Sequence, residues 1–189
     1  MNLDDGQIWS EKNLQVNAFP VKKGGALYTI RTSDINLTNL WQLLNKLNWL
    51  SPEARNLIHQ IKPQGNLKNT YLEYPYFSDA KPTSFAKTPT DLANMNWKFS
   101  TEIHNLIISP WQKIPGVQQL TGYLEMTNGM GQFRLDSEKL RLTFPAYFRS
   151  PLFFEHAQAN IDWQNSPNGY KINATGVQAD NSDAKLKGD

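Results

Sequence analysis

One spacing pattern occurs three times in this chain. Tyr28, Ile30, Ile35 and Leu37 fit the frame apolar-x-apolar-x4-apolar-x-apolar. So do Phe133, Leu135, Leu140 and Leu142, and again Tyr170, Ile172, Val177 and Ala179. Side chains two residues apart share a face of a strand, because successive side chains alternate across the pleat. The four-residue gap is polar or small in every copy: Arg31–Asp34, Asp136–Lys139 and Asn173–Gly176. Each copy therefore reads as one long one-faced strand, or as two short ones across a tight polar bend. A glycine lies just upstream each time, at Gly25, Gly131 and Gly169. A recurring one-faced β unit is the mark of a sheet built by adding strands. Such a sheet keeps one apolar face along its whole length, and what covers that face decides the function.

The chain has 189 residues, enough for one domain with a real core. Only 19% of them are charged, against 39% apolar, which is not the composition of a disordered chain. The formal net charge is +2 and no Lys/Arg run is longer than Lys22-Lys23, so no groove for nucleic acid is expected. The absence of cysteine excludes disulfides, thiolate metal sites and cysteine nucleophiles. No apolar run approaches the roughly 18–20 residues of a membrane span. The acidic start, Met1-Asn2-Leu3-Asp4-Asp5, does not have the form of a signal peptide. Lys185 to Asp189 stops inside what reads as a further strand, as in a piece of a longer protein.

Along the chain, Leu14, Val16 and Ala18 alternate as a first strand, and Lys22 to Gly25 reads as a turn. The strand from Ala26 to Leu37 follows. The period then changes: Leu40, Leu43, Leu44 and Leu47 form a helical stripe, with Thr38 or Asn39 as candidate cap. Ser51, Pro52 and Glu53 open a second helix carrying Ala54, Leu57, Ile58 and Ile61, and Pro63 and Gly65 end it. A helical hairpin over about residues 38–62 thus interrupts the sheet. Strand character returns from Leu67 to Tyr74, and the Pro-rich stretch over about 75–94 reads as a long surface loop. Strands resume from Trp97 to Ile108. After a corner containing Pro110, Trp111 and Pro115, they continue through Leu120 to Met126. Asn128-Gly129 is a hairpin signal, because both central residues of a type I′ turn need positive φ. Phe133 to Phe144 returns, Pro145 to Pro151 makes a corner, Ala157 to Trp163 forms another strand, and Tyr170 to Ala179 pairs with it. Arg134, Asp136, Lys139 and Arg141 leave the opposite face polar, the alternation of an antiparallel sheet with one covered face.

Catalytic patterns do not emerge. His59, His104 and His156 are scattered, with the last two on the polar side of strands and none at metal-ligand spacing. Asp136, Glu138 and Asp162 fall on the polar face or at bends, which is not a carboxylate pair in a cleft. There is no GxSxG elbow, P-loop or dinucleotide glycine motif. Trp97 and Trp163 lie in register with apolar neighbours and suit packing better than ligand stacking, while Trp111 suits pinning its corner. Neither a cofactor nor a metal is called for. The apolar face is the functional suspect. It is either an ordinary core, closed by the helices and by the sheet folding on itself, or a groove for acyl chains.

The run Leu106-x-Ile108-x-Pro110-Trp111-x3-Pro115-Gly116-x3-Leu120-x-Gly122-x-Leu124 is followed by Gly131-x-Phe133-x-Leu135-x4-Leu140. Then come Phe148-Arg149-x-Pro151-Leu152 and Ala159-x-Ile161-x-Trp163. In order and spacing this resembles the large periplasmic region of the YhdP branch of the AsmA-like superfamily. The step Ile61-Lys62-Pro63-Gln64-Gly65 after the helices also fits. The resemblance covers most of the chain, is densest from Leu106 to Trp163 and is weak before Ala26. It implies a curved, mainly β fold: an antiparallel sheet folded like a taco, with an apolar interior and an inserted helical hairpin, as a single unit over 1–189. It also implies a segment of a bridge-like lipid carrier, anchored in the inner membrane of Gram-negative bacteria and spanning the periplasm. Such a carrier serves the envelope's permeability barrier. The partners would be phospholipid acyl chains and, through parts missing from this chain, the inner and outer membranes. No catalytic residue is carried over. Strand parity and the resemblance together nominate Leu120, Leu124, Met126, Phe133, Leu135, Leu140, Leu142, Phe144, Ile161, Trp163, Tyr170 and Ile172 as groove lining. The alternatives are a scaffold or protein-interaction module with a closed core, and an enzyme with carboxylates in a cleft.

Overall fold

The structure, a computed structural model, describes residues 14–21, 25–47, 50–77, 96–166, 169–182 and 185–188. Nine strands form one open sheet in chain order: β1 (Leu14–Val21), β2 (Gly25–Asn36), β3 (Gln64–Phe77), β4 (Lys98–Ile108), β5 (Gly116–Thr127), β6 (Met130–Thr143), β7 (Leu152–Ser166), β8 (Gly169–Asp180) and β9 (Lys185–Gly188). Every neighbouring pair is antiparallel. The helices α1 (Leu37–Lys46) and α2 (Pro52–Ile61) are inserted between β2 and β3.

The helical segment starts earlier than the sequence suggested. Its cap is Asn36, not Thr38 or Asn39: the Asn36 carboxamide accepts from the Asn39 N–H at 3.1 Å. Leu37 therefore leaves the strand and becomes the first helical residue. Ser51 caps α2 by accepting from the Ala54 N–H at 3.2 Å, with Pro52 next to it. Lys62, at φ 47, ends α2 in the left-handed conformation before Pro63. Asn128 and Gly129, with φ 49 and 77, make the hairpin between β5 and β6. Pro75, Tyr76 and Phe77 remain in β3, so the loop expected from Pro75 does not begin there, and residues 78–94 of it lie outside the described residues.

The recurring frame conceals an odd step. Leu135 and Leu140 are five residues apart, which in an unbroken pleat puts them on opposite faces. Both nevertheless lie on the covered side, because β6 carries an extra residue in the gap. Phe133, Leu135 and Ser137 are covered and alternate with exposed Arg134 and Asp136; then Glu138 and Lys139 are both exposed, and Leu140 and Leu142 return to the covered side. Lys139 takes φ 55 to make the step. This is a β-bulge, which bends its strand and sharpens the twist. Left-handed residues occupy the corresponding gap in other strands: Asn69 in β3 at φ 49, Asn105 in β4 at φ 52, Gln119 in β5 at φ 62 and Gly176 in β8 at φ 59.

Register confirms where the extra residues sit. β6 and β7 break at the same level, so the ladder runs unshifted from Ser137–Ala157 to Leu140–Phe154. Where neighbours break at different levels the pairing slips, as at Lys68/Tyr71, Ile103/Leu106 and Gln158/Asn160. A chain of bulges thus crosses the sheet near the middle of its long strands and curves it. Strand β4 holds a fourth copy of the frame, Phe99, Thr101, Leu106 and Ile108, hidden from the sequence by the threonine.

Candidate functional site: an unroofed apolar face

Direct cross-strand pairing assembles the apolar side chains into rows. One row crosses eight strands: Val16, Ile30, Leu72, Phe99, Met126, Gly131, Trp163 and Ile172. A second runs Thr101, Leu124, Phe133, Ile161, Ala174. A third runs Ile35, Leu67, Ile103, Gly122, Leu135, Ala159. Beyond the bulges, Leu106 pairs with Leu120, Leu140 with Phe154, and Ile108, Val117, Leu142 and Leu152 form a further row. Of the residues nominated from sequence, Leu120, Leu124, Met126, Phe133, Leu135, Leu140, Leu142, Ile161, Trp163 and Ile172 stand in these rows. Tyr170 pairs with Asn165 one step beyond Trp163 and Ile172. Phe144 lies past the end of β6, edge-on to Phe148 at 6.1 Å. Where Gly131 leaves a gap in the first row, the Trp163 ring fills it: a Cβ there would lie 2.3 Å from the indole.

Little lies over these rows. α1 packs against β2 and β3, and α2 is tied to the end of β4 by the Ser109 N–H donating to the Ile61 carbonyl at 2.7 Å. Neither helix has a buried residue. Over β4 to β8 no second layer exists among the described residues. At the flanks the face is open: Val16 is 57% exposed, Tyr170 61% and Ile172 68%. Most buried positions gather instead beside the bulges: Ile103, Leu140, Ala157 and Ala159, with Thr32, Thr70, Thr101 and Ser137; Thr29, on the other face with the Asn17 carboxamide 3.4 Å from its hydroxyl, is an exception. A single flat sheet cannot bury a side chain on its own face. Curvature toward the apolar side can, because it brings neighbouring rows together above the floor. The apolar face is therefore the concave one, with small residues along its floor.

The buried hydroxyls on that floor belong to the bulges. A bulge strips backbone groups of their ladder partners. The Ser137 hydroxyl donates to the Thr121 carbonyl at 3.0 Å and accepts from the Thr121 N–H at 2.8 Å, just where β5 and β6 lose backbone pairing between Gln118 and Gly122. The Thr101 hydroxyl lies 3.2 Å from the Lys68 carbonyl and 2.8 Å from the Thr70 hydroxyl. With each hydroxyl turned to protein, the concave surface stays apolar. Ser137→Ala leaves both Thr121 groups without that partner in a site 1% exposed. It should cost about 1–3 kcal/mol, seen in urea unfolding as a lower midpoint at unchanged slope.

The opposite, convex face is polar. The Arg31 guanidinium sits 5.0 Å over the Tyr71 ring and that of Arg134 4.9 Å over Tyr123. The Tyr71 hydroxyl donates to Glu73 at 2.7 Å, and this bond holds the phenol above its ordinary pKa. Glu102 is held below the usual carboxylate range by hydrogen bonds from Asn69 and then His104. His59 and His156 are exposed, and no cluster of potential metal ligands occurs among the described residues. None of the described helices is long and apolar enough to cross a membrane.

Comparison with known proteins fits this architecture. The family model described as "YhdP protein" matches residues 1–189. The intermembrane phospholipid transporter YhdP of Escherichia coli K12 is 23% identical over 180 residues, covering 92% of this chain. The chain spans only 13% of that relative's length. No solved structure matches.

Proposed function

The chain belongs to the YhdP family, and on that premise we propose that it is one segment of a periplasmic lipid carrier anchored in the inner membrane. Its concave face shields phospholipid acyl chains in transit between the inner and outer membranes and so supports the permeability barrier. The observation that carries the reading is the unroofed apolar face: Tyr170 and Ile172 stand 61% and 68% exposed on a curved sheet. An acyl chain in water costs roughly 0.8 kcal/mol per exposed CH₂. A trough lined by Leu120, Leu124, Met126, Phe133, Leu135, Leu142, Phe144, Ile161, Trp163, Tyr170 and Ile172, with Leu140 packed beneath, removes much of that cost while the headgroup stays in water. Contacts without a tight pocket let the chain slide. The reading assigns no catalytic residue.

Native mass spectrometry of the gently purified chain tests it. Copurifying phospholipid, displaced by detergent, is the expected result. A clean apo mass, with no uptake from vesicles of phosphatidylethanolamine and phosphatidylglycerol, would instead favour an apolar face reserved for protein contacts.

A further inference from the structure

At the strand ends where β5 turns into β6, a hollow of about 340 Å³ opens on the concave face. Met126, Trp163, Ile172, Trp97 and Gly129 line it together with Asn165 and Tyr170, both of which are exposed. Asn165 and Tyr170 are direct cross-strand partners, so their side chains rise about 5 Å apart. Among the described residues, neither side chain makes a hydrogen bond. No lining residue is charged. The neighbouring Lys171 pairs with Gln164 in the alternate register, on the convex side, where it shares a different hollow with Asp162. Among the described residues, therefore, none offers a phosphate a cation in this hollow. A carboxamide and a phenol are donors suited to uncharged acceptors. In a diacyl phospholipid, the uncharged acceptors at the boundary between tail and headgroup are the ester carbonyls. Among the described residues β9 pairs with β8 only from Val177 to Asp180, so a peptide strand would add at the free edge of β8 beside Tyr170 and Ile172, in the plane of the sheet and not in the hollow on its face.

We infer that this hollow is the subsite that holds the ester-carbonyl region of a diacyl glycerophospholipid, with Asn165 and Tyr170 as donors and the tails running into the trough. The inference rests on the reading of the trough as an acyl-chain carrier. It is tested with the whole chain and two soluble probes: dihexanoyl phosphatidylcholine and its di-O-hexyl ether analogue, which lacks both carbonyls. Tryptophan fluorescence gives the Kd of each. The ester should bind about tenfold tighter than the ether, the worth of two modest neutral hydrogen bonds. In the double variant Asn165→Leu, Tyr170→Phe that gap should close, the ester and the ether binding that variant equally. Equal binding of ester and ether by the wild type, or a gap that survives in the double variant, overturns the subsite and leaves the trough standing. Failure of both probes to bind overturns the trough and the subsite together. Both positions are exposed, and circular dichroism verifies that the variant keeps the fold.

Discussion

Aspartate at position 172 is expected to leave the chain folded and empty it of lipid, whereas aspartate at position 140 unfolds it. Ile172 is 68% exposed on the concave face, so a carboxylate there meets water whenever the trough is empty. Its cost should be about 1 kcal/mol or less. Leu140 is 2% exposed beside the bulge of β6. Its loss removes about 2–5 kcal/mol of packing, and the buried carboxylate adds its own desolvation penalty. Together these approach the whole stability of a typical domain. Leu135→Asp and Leu142→Asp, at half-buried positions, should fall between. Urea melts and the lipid-to-protein ratio from native mass spectrometry read the two effects separately. If Ile172→Asp retains lipid as the wild type does, acyl chains do not pass over β8.

The second large effect is at Gly122. A Cβ built there would lie 2.3 Å from the Arg134 carbonyl oxygen and 2.7 Å from the Phe133 ring. The nearer obstacle is the backbone of the adjacent strand, which cannot rotate aside. Gly122→Ala must open the β5–β6 ladder next to the stretch that Ser137 already bridges, at about 2–3 kcal/mol. Gly188→Ala in β9 is the control. Its nearest neighbour would be the Val177 Cβ at 3.9 Å, an ordinary contact, and the cost should stay within about 0.5 kcal/mol. Thermal melts of the two variants would be compared, and equal melting temperatures would contradict the close approach of β5 and β6.

The sheet and the two helices were legible because both are written as periods: two for Phe133 and Leu135, three and four for Leu40, Leu43 and Leu44. The bulges were written too, as the five-residue step between Leu135 and Leu140, but that step acquires meaning only from parity across a paired neighbour. Its signature is a polar pair such as Glu138-Lys139 between two apolar alternations. The copy in β4 stayed hidden because Thr101 looks polar in sequence and is spent on the Lys68 carbonyl in the fold. The cap at Asn36 was missed because a strand and a helix meet there without a loop, and the apolar Leu37 satisfied either pattern. The hollow at Asn165 and Tyr170 could not be read from spacing, since it depends on the register that sets the ends of β7 and β8 level with the β5–β6 turn.

Each strand in this sheet pairs only with its neighbours in the chain. Such an object is nearly one-dimensional, and its stability is a sum of adjacent-strand terms with no keystone. Gaining or losing one hairpin, with its two bulges, would lengthen or shorten the trough by about 9–10 Å, two strand spacings. It would leave the face of every other strand unchanged. In the proposed carrier, reach is thereby separated from cross-section: the number of hairpins sets the first, and the residues beside each bulge set the second.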